Sequence, residues 1–203
     1  MARPPLQRQY WTIIMRIIAG QFRGRRLKSL EGAATRPTSD KLRETLFNIL
    51  TPWIAGAVFI DCYAGTGAVG IEALSRGASS VYLIESETPA MQVIEQNLSW
   101  LTERDPVRCS RGAASRILPA LAAAGVRADI CFLDPPYASL DEAVGVLTQV
   151  VGGALMQPTG WIVLEHSSRD ATPESLGRGT RQWQRTRLLT QGDSALSFYR
   201  KLE

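Results

Sequence analysis

From residue 57 onward the chain alternates short apolar runs with amphipathic segments, and this alternation restricts the fold more than any other feature. The apolar runs predict five strands, which are AVFID (57–61), SVYLIE (80–85), VRCS (107–110), ADICFLD (128–134) and GWIVLEH (160–166). Helical patterns over 68–77, 88–100, 113–124 and 139–151 separate them. Strands that alternate with helices join by right-handed crossovers into a parallel sheet with helices on both faces.

The two ends of the chain have a different character. Near the C-terminus, RQWQRTRLLT and ALSFYRK flank the turn signal QGDS, which predicts a closing antiparallel hairpin. Near the N-terminus, RIIA (16–19) and RRLKSL (25–30) flank QFRG and predict a small basic β-hairpin. We therefore expect a flexible extension over 1–14, a hairpin and linker over 15–38, and the main domain over 39–203.

The segment SDKLRETLFNIL (39–50) predicts an amphipathic helix between the hairpin and the first strand. Its apolar face comprises Leu42, Leu46, Ile49 and Leu50, and Arg43 is predicted on the polar side. Thr38 or Ser39 is a suitable N-cap, and Pro52 is predicted to mark the end of the helix. Arg36 and Arg43 could contact RNA or a cofactor carboxylate, or could form structural ion pairs.

Charge is distributed unevenly along the 203 residues. Residues 1–43 carry ten Lys or Arg and two Asp or Glu, whereas residues 44–168 carry six and thirteen. A basic arm on an acidic domain indicates a polyanionic partner, and nucleic acid is favoured because arginine pairs well with phosphate. No run approaches a membrane span, and Arg16 interrupts the only apolar patch near the start, so we predict no signal peptide and a cytoplasmic protein.

The thiols and the histidine do not indicate a metal site. Cys62, Cys109 and Cys131 form no C-x-x-C pair and are predicted to be buried free thiols, and His166 is the only histidine. His166 could line a pocket mouth or be a hydrogen-bonded structural residue. Trp161 and Trp183 are predicted to pack in the core or on a sheet face.

Ligands of an open parallel sheet bind beyond the carboxyl ends of its strands, where Asp61, Glu85, Gly112 and Asp134 are all predicted to lie. Gly65, Gly67 and Gly70 have the G-x-G-x-x-G spacing, which fits a dinucleotide. The preceding carboxylate of Asp61 would repel a pyrophosphate but would attract an ammonium or sulfonium group. S-adenosyl-L-methionine carries both.

Two further features point to the ligands. Glu85 ends the second strand, where a carboxylate accepts hydrogen bonds from ribose hydroxyls of either cofactor. The fourth strand ends in LDPPY, in which the prolines hold an extended backbone with free carbonyls. Asp134 and Pro135 could accept hydrogen bonds from a planar amino group while Tyr137 stacks beside it. Accepting those protons activates a conjugated nitrogen as a nucleophile.

These motifs resemble a known class and a known family. D-P-P-Y after the fourth strand resembles amino-group methyltransferases that use S-adenosylmethionine. RIIAGQFRGRRL, RPTSDKLRETLFNIL, DCYAGTGAVGIEALSRGA and DPPY, in this order, are similar to the bacterial RsmD family of 16S ribosomal RNA guanine-N2 methyltransferases. The resemblance covers nearly the whole chain from about Met15, and the two N-terminal segments are its most specific part.

The resemblance implies a Rossmann-like class I methyltransferase fold with a seven-stranded, mostly parallel sheet, a C-terminal antiparallel hairpin, and an N-terminal hairpin that engages RNA. It implies methylation of one guanine in a hairpin loop of the small-subunit head, on an assembled particle or a late assembly intermediate. We expect a monomer with no membrane partner.

The resemblance also assigns residues. Cofactor binding is expected at Asp61, Ala64, Gly65, Gly67, Glu85, Ser86, Gly112 and Ala113. Catalysis is expected at Asp134, Pro135, Pro136 and Tyr137, and RNA binding at Arg16, Arg23, Arg25, Arg26, Lys28 and Arg36. Ala113 stands where many relatives have Asp or Asn, so the adenine is expected to depend on backbone groups and apolar contacts.

Three alternatives stay open on the sequence alone. The first is a nicotinamide oxidoreductase, although D-P-P-Y provides no partner for hydride transfer. The second is a methyltransferase of DNA adenine or of protein glutamine, which shares D-P-P-Y but is expected to lack the basic arm. The third is an RNA-binding relative without catalytic activity.

Overall fold

The computed structural model describes residues 15–29, 40–102, 105–136 and 140–202. Its strands are β1 (Met15–Arg16), β2 (Arg26–Leu27), β3 (Val58–Asp61), β4 (Ser80–Glu85), β5 (Val107–Arg111), β6 (Ala128–Leu133), β7 (Met156–Ser167), β8 (Ser175–Leu176), β9 (Trp183–Gln191) and β10 (Ser194–Lys201). Its α-helices are α1 (Asp40–Ile54), α2 (Ala68–Ser75), α3 (Thr88–Leu98), α4 (Ala114–Ala123) and α5 (Leu140–Gly152). Several predicted features lie outside the described residues: the extension over 1–14, the linker, the Thr38 or Ser39 cap, Arg36 and Tyr137.

One mixed sheet contains every strand after the hairpin, in the order β5-β4-β3-β6-β7-β10-β9-β8. The first five strands of this order are parallel, and β10, β9 and β8 continue antiparallel. The predicted parallel sheet with a C-terminal antiparallel hairpin is therefore confirmed. The two-residue strand β8 extends the edge by one strand beyond the predicted seven.

Helices cover both faces of the sheet. Apolar residues of α1, α2 and α3 pack on one face with Phe59 of β3, whereas α4 and α5 pack on the other face with Ile60. Successive residues of a strand point to opposite faces, so both strand faces must be apolar when both are covered. This explains why the parallel strands appear as continuous apolar runs in the sequence.

Several boundaries differ from the prediction. The helix α1 continues through Pro52 to Ile54: the proline removes one N–H donor from the last turn, but burial of Ile54 in the core holds that turn in place. The strand β7 starts at Met156, earlier than the predicted start at Gly160, because the sequence pattern around Pro158 did not indicate a strand. Met156 pairs with Ala128, and the register shifts before Ile130 pairs with Trp161. The thiol of Cys109 is exposed, contrary to expectation, whereas Cys62 and Cys131 are buried as predicted.

The N-terminal hairpin is shorter than predicted because its chain pairs with the main domain. Met15 pairs with Leu27 and Arg16 with Arg26. The N–H of Ile17 still donates across the hairpin to the carbonyl of Arg25, but the following amide groups, of Ile18 and Ala19, donate to the carboxylate of Glu72 on α2. Strand pairing between β1 and β2 therefore ends after two residues.

Candidate active site

The glycine loop between β3 and α2 has the backbone that its sequence predicts. Gly65 and Gly67 have φ of +55° and +79°, a conformation that residues with a side chain rarely adopt. Gly70 has another function, because a Cβ at this position would lie 2.2 Å from Cδ2 of Leu83. Gly70 therefore allows α2 to pack closely on β4.

Asp61 ends β3 with a carboxylate that is 1% exposed. Its Oδ2 accepts a hydrogen bond from the N–H of Gly70 at 3.1 Å, and its Oδ1 is buried without a hydrogen-bond partner among the described residues. Burial raises the pKa of Asp61 to about 8, and the charges of Asp134 and Glu85 add to the rise. A buried acceptor without a donor fits an ammonium or sulfonium ligand.

Glu85 lies beside the same loop, at the end of β4. Its Oε2 accepts from the N–H of Gly65 at 2.7 Å, and its Oε1 accepts from the N–H of Glu87 at 2.8 Å. These two bonds hold the half-buried carboxylate in place, while each oxygen retains a lone pair for a ribose hydroxyl. Ala64, which lies within the glycine loop, is buried, and Ser86, which follows Glu85, is exposed.

The end of β5 provides little polar side-chain chemistry. The N–H of Gly112 donates to the carbonyl of Glu85 at 2.9 Å, so this amide is not available to a ligand. Ala113 precedes α4 as its N-cap and supplies no side-chain cap. The expectation that backbone and apolar contacts hold the adenine stays a prediction here.

Asp134 lies at the same edge of the sheet as Asp61. Phe132 pairs with Asp61 across β6 and β3, so Asp134 is two residues, about 7 Å, farther toward the carboxyl edge. Pro135 is buried and Pro136 is exposed. The two prolines line a shallow depression together with Leu140, Glu165, His166 and Asp170. The predicted stacking residue, Tyr137, lies outside the described residues.

His166 lines this depression and is also a hydrogen-bonded structural residue. It is 4% exposed, its Nε2 lies 2.9 Å from Oγ of Ser197, and its Nδ1 lies 2.8 Å from the carbonyl of Ser167. Burial lowers its pKa, which favours the neutral ring. His166 therefore borders the depression and is also held by hydrogen bonds within the fold, so the two interpretations left open by the sequence do not exclude each other.

A basic surface, which we define as the exposed residues Arg16, Arg23, Arg25, Arg26 and Lys28, covers the outer side of the hairpin. The sixth predicted RNA-binding residue, Arg36, lies outside the described residues. Arg43 does not belong to this surface: it is 0% exposed, and its guanidinium contacts Asp40 and the carbonyl of Arg16. The prediction that Arg43 lies on the polar side of α1 was wrong, and the structural alternative is correct.

Sequence reasoning missed two buried polar side chains that attach the hairpin to the main domain. Asn97 accepts from the N–H of Lys28 at 2.7 Å and donates to the carbonyls of Lys28 at 3.1 Å and Thr66 at 2.9 Å. Thr66 stands between the two left-handed glycines. Asn97 thus joins the basic surface to the loop, and no pattern in the sequence signals it.

Glu72 is the second such residue. Its carboxylate accepts from Ile18 and Ala19, pairs with Arg76 at 2.7 Å, and lies 3.9 Å from Nε of Arg43. The spacing of Glu72 and Arg76 in a helix was a signal for their ion pair. The contacts with the hairpin depend on tertiary structure alone.

Among the described residues, no group of three or more His, Cys, Asp or Glu is placed to hold a metal ion. No helix within the described ranges is long and apolar enough to span a bilayer.

The fold and the carboxylates at the strand ends define the class of protein. An open sheet in this order, with Asp61 and Glu85 around a glycine loop and Asp-Pro-Pro at the next strand end, is that of a Rossmann-like methyltransferase that uses S-adenosylmethionine. The structure of yhhF from Escherichia coli has a TM-score of 0.74 and 33% identity, covering 92% of this chain and 97% of that one. The hypothetical protein TTHA0928 from Thermus thermophilus has a TM-score of 0.73 and 28% identity, covering 93% and 100%.

The family follows from sequence comparison. The profile of the family described as conserved hypothetical protein 95 matches residues 15–200. YlbH of Bacillus subtilis is 35% identical over 187 residues, which are 92% of this chain and 99% of that protein. The ribosomal RNA small subunit methyltransferase D of Escherichia coli K12 is 39% identical over 151 residues, 74% of this chain and 71% of that protein. The chain belongs to this family, the RsmD family.

Proposed function

We propose that this protein methylates the exocyclic N2 of one guanine in 16S ribosomal RNA, in a hairpin loop of the small-subunit head. The single observation that carries the proposal is the position of Asp134 and its prolines beside the Asp61 loop, at adjacent parallel strand ends. This arrangement brings an amino-group cradle next to a site for a cationic cofactor. The similarity to a small-subunit ribosomal RNA methyltransferase supports the choice of substrate.

The cofactor site is supported by two fits to S-adenosylmethionine. The unpartnered oxygen of Asp61 suits the positive end of the molecule, and the fixed carboxylate of Glu85 suits its ribose. When bound, the cofactor supplies an electrophilic methyl group. The same carboxylates disfavour a dinucleotide, because they already accept from the N–H groups of Gly65 and Gly70 that a pyrophosphate would use.

The chain's own residues then act on the base. The target guanine leaves its stack, at a cost of a few kcal/mol that is smallest in a loop. The carboxylate of Asp134 and the carbonyl of Pro135 accept from N2–H, which directs the nitrogen lone pair out of conjugation. Tyr137 stacks on the ring, and the surplus N2 proton leaves to water after transfer. Positioning and electrostatics supply most of the acceleration.

The deciding experiment is methyl transfer from labelled cofactor to three substrates: small ribosomal subunits, free 16S RNA and double-stranded DNA. Nucleoside analysis of the product should show N2-methylguanosine from ribosomal substrate and no label in DNA. Methylated adenine in DNA would favour the alternative amino-group methyltransferase. Absence of transfer to all three substrates, with cofactor bound, would refute the proposal.

Asp134→Ala provides the matched variant. It should reduce transfer below detection, because the cradle loses its charged acceptor, while calorimetric affinity for the cofactor stays within about threefold of wild type, less than 1 kcal/mol. Near-normal turnover by this variant would exclude the role proposed for Asp134.

A further inference from the structure

A stacked pair of side chains borders the basic surface. The guanidinium carbon of Arg25 lies 4.1 Å from the centroid of the Trp100 ring. Arg25 is exposed and Trp100 is half-buried, so the guanidinium forms the outer layer of the stack and the indole the inner layer. The stack therefore presents a flat cationic face to solvent.

The indole beneath is held in a fixed orientation. The ring of Phe22 meets it nearly edge-on, with centroids 4.5 Å apart and an interplanar angle of 67°. Its Nε1–H donates to the carbonyl of Asn97. Phe22 and Trp100 also pack against the buried cluster beneath the hairpin. A preformed platform of this kind loses little side-chain freedom when a ligand stacks on it.

The charge around Arg25 suits a polyanion. Among the described residues, no carboxylate forms an ion pair with Arg25. Arg23, Arg26 and Lys28 are exposed on the same hairpin. Unpaired RNA bases stack on aromatic rings and on arginine planes, whereas phosphates bind at the N–H edges of a guanidinium. The exposed face of the stack is therefore suited to a base and its edges to the RNA backbone.

We propose that Arg25 and Trp100 form a stacking site for an unpaired base of the substrate RNA, away from the nucleotide that is methylated. The inference rests on the proposed function, because it takes ribosomal RNA as the substrate. The stack is separate from the Asp134 cradle. Asn97 joins the stack to the glycine loop between β3 and α2, because it contacts both Trp100 and Thr66. A base held there would fix the RNA relative to the reacting methyl group.

Arg25→Lys is the sharpest test, because it retains the charge and removes the plane. Binding of an unmodified 16S RNA transcript is measured by filter retention at several KCl concentrations, with Arg23→Lys as the matched control. We expect Arg25→Lys to weaken binding at least about fivefold, the lower end for loss of one stacked base, with an unchanged salt slope. Arg23→Lys should bind as wild type, because a phosphate contact depends mainly on charge.

Trp100 supplies an independent pair of variants. Trp100→Ala should weaken RNA binding by roughly 5- to 150-fold with the salt slope unchanged, and Trp100→Phe should retain most of the affinity because it keeps a flat ring. Thermal unfolding of each variant identifies any loss of fold, and Arg25→Lys remains decisive if Trp100→Ala does not fold.

The inference is overturned if Arg25→Lys binds the transcript as tightly as wild type. It is also overturned if a folded Trp100→Ala does so. Failure of the proposed function has a different result, since the wild-type protein would then not methylate ribosomal RNA, whether or not it binds it. A wild-type protein that binds and methylates, with both variants unaffected, would refute the stacking site alone.

Discussion

At the scale of single residues, Asp61 shows how a buried carboxylate at the proposed cofactor site makes stability depend on pH. Its carboxylate is buried with one oxygen unpartnered among the described residues, and burial raises its pKa to about 8. The unfolded chain has an ordinary aspartate with a pKa near 3.8. Between these two values the folded protein retains a proton that the unfolded chain has released, so its stability falls as pH rises.

Asp61→Asn should remove this dependence. For one proton the slope is about 1.4 kcal/mol per pH unit, and it applies between about pH 4 and pH 8. We expect the free energy of unfolding, measured by urea denaturation without cofactor at pH 5, 6, 7 and 8, to decline less steeply in the variant than in wild type. The difference between the two slopes should narrow above pH 8, where Asp61 is ionised in the folded protein as well as in the unfolded chain.

Asp141→Asn is the matched control, because it removes an exposed carboxylate from the surface of α5. It should follow the wild-type slope. Equal slopes for wild type and Asp61→Asn would show that the buried carboxyl is not protonated in the folded protein.

At the scale of elements, the contact between the hairpin, α1 and α2 depends on the buried pair of Arg43 and Glu72. Both side chains are 0% exposed. The two are not equivalent, because Glu72 also accepts from Ile18, Ala19 and Arg76, whereas Nε and Nη1 of Arg43 have no hydrogen-bond partner among the described residues. Glu72 is the centre of this contact and Arg43 is a peripheral member.

This asymmetry predicts unequal costs. Glu72→Gln should lower the free energy of unfolding by about 3 kcal/mol or more, because it removes the buried negative charge that lies between Arg76 and Arg43 and leaves only the partly exposed Asp40 beside Arg43. Arg43→Met should cost about 1–2 kcal/mol, because Glu72 keeps Arg76 and two main-chain donors. Urea denaturation of the two variants side by side tests this order. A larger loss for Arg43→Met would contradict the hierarchy.

At the scale of the whole molecule, the hairpin combines an exposed basic surface with a part of the hydrophobic core. Met15, Ile17 and Leu27 are 3%, 1% and 5% exposed and pack with Ala68 and Ile71 of α2. The basic residues lie on the opposite, exposed side. Removal of the hairpin therefore has two effects that must be separated.

Deletion of residues 1–29 should destabilise the protein by several kcal/mol, since each buried large aliphatic side chain contributes about 1.5–3 kcal/mol. The double variant Arg23→Ala with Arg26→Ala should leave stability nearly unchanged. It should reduce by about two the slope of the logarithm of the RNA-binding constant against the logarithm of the salt concentration, because two phosphate contacts are lost. Urea denaturation and filter binding measure the two effects. A truncated protein as stable as wild type would show that the hairpin is not part of the core.

The sequence by itself determined the order of the elements, the parallel sheet and the edge at which the site lies. Strand periodicity, glycine spacing and the D-P-P-Y segment are local signals, and the crossover rule converts them into topology. Asp61 and D-P-P-Y, which are local signals too, favoured S-adenosylmethionine as the ligand, although the sequence alone left a dinucleotide open.

Only the tertiary structure decided how deep each polar side chain lies and what it contacts. Arg43, Glu72 and Asn97 have ordinary helical neighbours in sequence, yet their partners in the hairpin are 27 to 69 residues away. The stack of Arg25 on Trp100 likewise joins two elements far apart in the chain. Burial and long-range hydrogen bonds are properties of packed elements, so no local pattern can specify them.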